Sequence, residues 1–148
     1  LTMFSGTFFY KTEIDKPLDE VWEFFQNNEN LAAITGFPKI SILGDKEVFE
    51  GADIHLQMNF IVVKLHWKGE ITKVVPDAYF MDEGIKLPFP FQAWRHVHAF
   101  KEVSPSSTKM IDRVEFSSLL PSPIIKGMLK GMFSDRKKQL RGIFGEVK

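Results

Sequence analysis

Four residues carry the chemistry in this chain. Trp94-Arg95-His96-Val97-His98-Ala99-Phe100 reads as a strand. Side chains on a strand alternate between faces, so Trp94, His96, His98 and Phe100 share one side. The run Thr108 to Phe116 repeats the pattern and sets Asp112 among Thr108, Met110, Val114 and Phe116. Tyr79 to Ile85 puts Asp82 beside Phe80. If the three faces point inward together, two imidazoles and two carboxylates meet inside an apolar shell. An imidazole beside a carboxylate can move protons. The same groups can hydrogen-bond the polar end of an apolar ligand, or satisfy one another and order the sheet. His-x-His with a nearby acid can also ligate zinc. Only His96 and His98 are close in sequence, however, and His55 falls on the outer face of its strand. No metal and no cofactor is therefore expected.

Other chemistries lack their residues. There is no cysteine, so disulfides, thiolate metal sites and cysteine nucleophiles are excluded. No Gly-x-Ser-x-Gly elbow and no phosphate-cradling glycine motif occurs. The formal net charge is zero, unlike the basic balance of nucleic-acid-binding domains, and no nucleic-acid partner is expected. No apolar run is long enough for a bilayer span and no secretory pattern opens the chain. A cytoplasmic protein is the expectation. Leu1 is not an initiator; Leu1-Thr2 fit a processed or added end, with Met3 a candidate start.

The elements that must position these residues follow from periodicity. Met3 to Ile14 is a Phe-, Tyr- and Thr-rich strand. Asp15 stands where an N-cap would, and Pro17 at the start of a helix with the stripe Leu18, Val21, Trp22 and Phe25. A second short helix covers Glu29 to Ile34. Strands follow at Pro38 to Gly44, around Ile54, Leu56, Met58 and Phe60, and at Val63 to Val75 with Leu65, Trp67 and Ile71 on one face. After Pro76-Asp77 come Tyr79 to Ile85, Phe91 to Val103 and Thr108 to Leu119. Leu87-Pro88-Phe89-Pro90 is a loop, since prolines so spaced suit neither strand nor helix. Pro121-Ser122-Pro123 opens a long helix with Ile124, Ile125, Met128, Leu129, Met132, Phe133, Leu140, Ile143 and Phe144 on its apolar side. Its glycines Gly127, Gly131, Gly142 and Gly145 are expected to let it approach the sheet or flex. Its Lys126, Lys130, Arg136, Lys137, Lys138 and Arg141 allow transient contact with a membrane surface.

The expected fold is thus α+β: a curved antiparallel sheet of about seven strands around one long C-terminal helix, with two short helices after the first strand. Residues 1–148 read as a single domain. Fifteen phenylalanines suggest an interior lined by rings. Shared face parity predicts a cavity bounded by Ile54, Leu56, Met58, Phe60 and Trp67, and further by Phe80, Trp94, Phe100, Met110 and Phe116. Met128, Met132 and Phe133 would close it from the helix. Alternating turns bring residues 60–63, 85–91 and 119–123 to one end, where Leu87, Phe89 and Phe91 form a lipophilic entrance.

The layout also resembles a known superfamily. The residues that carry the resemblance are Ile14 with Pro17-Leu18-Asp19-Glu20-Val21-Trp22, Gly51, and Pro76 followed by Phe80-x-Asp82. Trp94-x-His96-x-His98-x-Phe100, Thr108-x-Met110-x-Asp112-x-Val114 and Phe133-x-x-Arg136-x-x-x-Leu140-x-x-x-Phe144 complete it. In order and spacing these resemble the START-like, or SRPBCC, superfamily, whose prototype is the major birch-pollen allergen, and within it the polyketide cyclase/dehydrase and lipid-transport-like branch. The chain departs from that pattern in the longer loop Gly84 to Phe91. The resemblance implies a helix-grip fold with a cavity between sheet and helix. Members include lipid and sterol carriers, hormone receptors, aromatase/cyclases and ring hydroxylase subunits. The function expected here is binding or carriage of a small hydrophobic or amphipathic ligand: a lipid, sterol, polyketide or aromatic metabolite. The alternative is an aromatase/cyclase or dehydratase-like enzyme using His96 or His98 with Asp112.

Overall fold

A computed structural model describes residues 2–148. The elements in chain order are β1 (Phe4–Ile14), α1 (Leu18–Phe25), α2 (Asn28–Ala33), β2 (Lys39–Ile42) and β3 (Asp53–Asn59). Then follow β4 (Lys64–Val75), β5 (Tyr79–Lys86), β6 (Phe91–Ser104), β7 (Ser107–Ser118) and α3 (Ser122–Phe144). All seven strands form one antiparallel sheet in the order β1-β7-β6-β5-β4-β3-β2. The order follows from the short turns, which pair each strand with the next. Only β1 leaves sequence order, by pairing with β7 from Phe4 opposite Ser118 to Ile14 opposite Thr108. Register shifts interrupt the β4–β5 and β6–β7 ladders, and such irregularities bend a strand locally.

Asp15 does not cap α1. Pro17 stands at the N-cap without a side-chain bond, and the Asp15 N–H donates instead to the Glu146 carbonyl. The chain end is the reason: Glu13 and Lys148 exchange two backbone hydrogen bonds, and Val147 bridges Ile14. Asn27 caps α2, its side chain accepting from the Glu29 N–H. Gly51 turns at φ 90°, a conformation that costs glycine nothing.

The helix α3 comes nearest the sheet backbone at β1. A Cβ on Gly6 would lie 2.7 Å from Ser122 Oγ and 2.8 Å from the Phe116 ring. Gly127, Gly131 and Gly142 do not serve this approach, because a Cβ on any of them would meet open space. Ile125, Leu129, Phe133, Leu140 and Phe144 are the buried residues of α3. Met128 and Met132 lie off that stripe and are 42% and 45% exposed. Each follows a buried-stripe position by three residues, which turns it toward the flank of the helix.

Away from β1 the buried apolar side chains between the sheet and the helices form two groups. One gathers Phe80, Phe100, Met110, Ile71 and Ile54 with Val21, Phe25 and Leu140. The other gathers Phe116, Val114, Phe91 and Phe8 with Ile125, Leu129 and Phe133. Trp67 touches both. The rings meet edge to face, Trp67–Trp94 at 4.9 Å and Trp22–Phe100 at 5.1 Å between centroids.

Candidate functional site

The polar residues lie between the two apolar groups. In the sheet register Asp82 is opposite His96, and His98 is opposite Asp112. The hydrogen bonds nevertheless run diagonally. His96 Nε2 meets Asp112 Oδ1 at 2.8 Å, and His98 Nε2 meets Asp82 Oδ2 at 2.7 Å. Diagonal neighbours on one face are within reach of a long side chain. The two imidazoles then stack, centroids 3.6 Å apart. Phe80 covers His98 in a stacked contact at 4.2 Å, while Trp94 and Phe133 set their edges on His96. All four polar residues are buried.

Burial alone would raise the pKa of both carboxyls. For Asp82 the His98 hydrogen bond and the charges of His98 and His96 outweigh it, with a smaller contribution from Trp94. For Asp112 the His96 hydrogen bond and charge, then His98 and Arg136, do the same. Both therefore sit below their ordinary value and are ionised. His98 is pushed down by burial and by His96, against the pull of the two acids. A neutral His98 donates Nε2–H to Asp82, and its Nδ1 lies 3.7 Å from Asp112 Oδ1, outside hydrogen-bond range.

Arg136 completes the cluster. It occupies α3 three residues after Phe133, over whose ring its guanidinium carbon lies at 4.8 Å. Burial lowers its pKa, opposed by the charges of Asp112 and Asp82. A charged residue between Phe133 and Leu140 at the same helical phase is the sequence signal that could have marked it.

Beside this cluster is a cleft of about 300 Å³, walled by Ile34, Thr35, Gly36 and Phe37 on one side and by Gly131, Met132, Phe133, Asp135 and Arg136 on the other. Two residues of the expected lining, Met132 and Phe133, face it. Ile54, Phe80, Phe100, Met110 and Phe116 are buried in the packed interior, and Leu56, Met58, Phe60, Trp67 and Trp94 are half-buried. Met128 stands outside. A second, shallower concavity of about 670 Å³ lies on the outer sheet face, around Thr7, Glu83, Arg95 and Glu115.

Of the three expected entrance residues, Phe89 is exposed, at 70%. Leu87 folds back onto Gly84, whose missing side chain leaves room for it, and packs with the core. Phe91 is buried against Trp67, Trp94 and Phe116.

For a cation, Asp82, His96 and His98 offer one ligand atom each, all within 4.8 Å of one another. Both Nε2 atoms already face carboxylates, so a metal would have to displace these bonds. His55 faces His66 on the outer side of the sheet, Nε2 to Nδ1 at 2.9 Å.

No protein-family model and no curated protein matches the sequence. Solved structures do match. Major latex-like protein 151 of Panax ginseng is 9% identical, with 95% of this chain and 98% of that one covered, at a TM-score of 0.73. The Mll3558 protein of Rhizobium loti is 13% identical, with 96% and 99% covered, at 0.75. Norcoclaurine synthase of Thalictrum flavum in complex with dopamine and hydroxybenzaldehyde is 15% identical, with 93% and 87% covered, at 0.64. The seven-stranded antiparallel sheet, the two short helices after the first strand and the long C-terminal helix are the birch-pollen-allergen-type helix-grip fold.

Proposed function

We propose that this chain binds or carries a small hydrophobic or amphipathic ligand at the cleft between α3 and the turn after α2. The observation that carries the reading is the pairing of apolar walls with one cation. Ile34, Phe37, Met132 and Phe133 supply apolar lining, and Arg136 lines the cleft with Asp135 next to it. Arg136 has no side-chain hydrogen bond or ion pair to a described residue within 4.0 Å. Its donors are free for the polar end of a ligand, a carboxylate or a carbonyl oxygen. The norcoclaurine synthase complex is a case of the same fold holding small aromatic molecules.

Carriage is favoured over an aromatase/cyclase or dehydratase-like reaction. Both Nε2 atoms are engaged with carboxylates, and aromatic rings cover His98 and edge His96. A catalytic imidazole needs a nitrogen that reaches the substrate. The fold alone does not choose between the roles.

Titration with 8-anilinonaphthalene-1-sulfonate, an apolar anion of suitable size, tests the reading. Saturable binding is expected, weakened about tenfold in Arg136→Met by loss of the charge-assisted contact. Absence of saturable binding, or equal affinity in both proteins, would overturn it.

A further inference from the structure

The strand register gathers one set of chain segments at a single end of the sheet. Phe4 lies opposite Ser118 and Lys39 opposite Asn59, which itself faces Lys64. The start of β1, the turn before β2, the β3–β4 hairpin tip, the β5–β6 loop and the start of α3 therefore share this end. Phe37, Ile61, Val62, Phe89, Ile124 and Met128 all stand into solvent there. Ile61 and Val62, at the hairpin tip, are 92% and 94% exposed. The Phe37 and Phe60 rings, 5.6 Å apart, join the tip to the cleft wall.

The chain segments that meet at this end are basic. The segments 2–12, 30–44, 54–69, 84–101 and 116–134 contain no aspartate or glutamate. They carry exposed Lys39, Lys64, Lys86, Lys126 and Lys130.

We propose that this end docks on an anionic lipid surface, with Ile61-Val62 entering the interface and the lysines resting on the headgroups. Large apolar side chains this exposed on several tips at one end suit an interaction surface. Its chemistry favours a bilayer over a protein groove. The apolar groups sit on separate tips, the cations flank them, and the nearby carboxylate, Asp135, lies in the cleft wall beside Gly36 rather than on the tips. The docking does not depend on the cleft being occupied.

The test is co-flotation of the full chain with vesicles of phosphatidylcholine containing about 30% phosphatidylserine, against phosphatidylcholine alone. Binding to the anionic vesicles is expected, weakening as salt rises. The double variant Ile61→Ser, Val62→Ser should bind at least about tenfold more weakly. Val103→Ser, at the opposite turn, should bind like the parent. Anionic vesicles that float without protein, or equal binding by the double variant, would overturn the proposal. A parent dimer in sedimentation that Ile61→Ser, Val62→Ser converts to monomer, without vesicle binding, would assign the surface to a second copy instead.

Discussion

His96 and His98 stack face to face at 3.6 Å while each addresses a different carboxylate, Asp112 and Asp82 respectively. Ring contact couples the two pairs into one unit spanning β5, β6 and β7. Removing one acid leaves its imidazole buried without a partner and disturbs the stack.

Asp112→Ala should therefore destabilise the fold by about 2 kcal/mol, the scale for leaving a buried hydrogen-bonding group unpaired. Asp112→Asn keeps an oxygen to accept the His96 N–H and should lose markedly less. Urea unfolding of the two variants checks this. A parental midpoint for Asp112→Ala would remove the structural role assigned to the pair.

Stability should depend on pH in two steps. His98 has its folded pKa below the ordinary 6.5, so the unfolded chain takes up that proton first. Stability is thus full above about 6.5 and declines as the pH falls from there. Asp82 and Asp112 are held below their ordinary 3.8, so the stabilisation they provide is present above that value and lost as pH falls through their folded values. Melting temperatures from pH 8 to 3 measure both steps. His98→Gln, which can still donate to Asp82, should flatten the first step; an unchanged slope there would contradict the assignment to His98.

Leu87 and Phe89 should behave differently. Phe89→Ser changes an exposed side chain and should alter stability by less than about 0.5 kcal/mol. Leu87→Ser removes a core contact over Gly84 and should cost about 2 kcal/mol. Equal effects in thermal unfolding would contradict the inward placement of Leu87.

Much of this was legible in the chain. Strict alternation from Asp53 to Asn59 and from Trp94 to Phe100 places Ile54, His96 and His98 inward, and short turns dictate the meander. Face parity does not reveal which histidine meets which acid. That depends on register and on side-chain reach: Asp82 lies opposite His96 and Asp112 opposite His98, yet each acid bonds the diagonal histidine. The helix misleads for another reason. Its apolar residues wrap more than half the circumference, so Met128 and Met132 are indistinguishable in sequence from Ile125 and Leu129. The cleft is equally silent, because Gly36-Phe37 faces Met132 only through the tertiary fold. The closing of the sheet by Val147 on Ile14 joins opposite chain ends and leaves no local pattern.

Gly131 offers the most direct measurement. It lines the cleft, and a Cβ there meets nothing within 4 Å. Gly131→Trp should therefore leave the fold intact, gain about 0.5 kcal/mol of helix propensity over glycine, and block the cleft. Native mass spectrometry of freshly purified parent and variant then reads occupancy. The expected result is a parent carrying the mass increment of one small ligand and a variant carrying none. A bare parent that also fails to take up added 8-anilinonaphthalene-1-sulfonate, or equal loading of parent and variant, would contradict a ligand-binding role for the cleft.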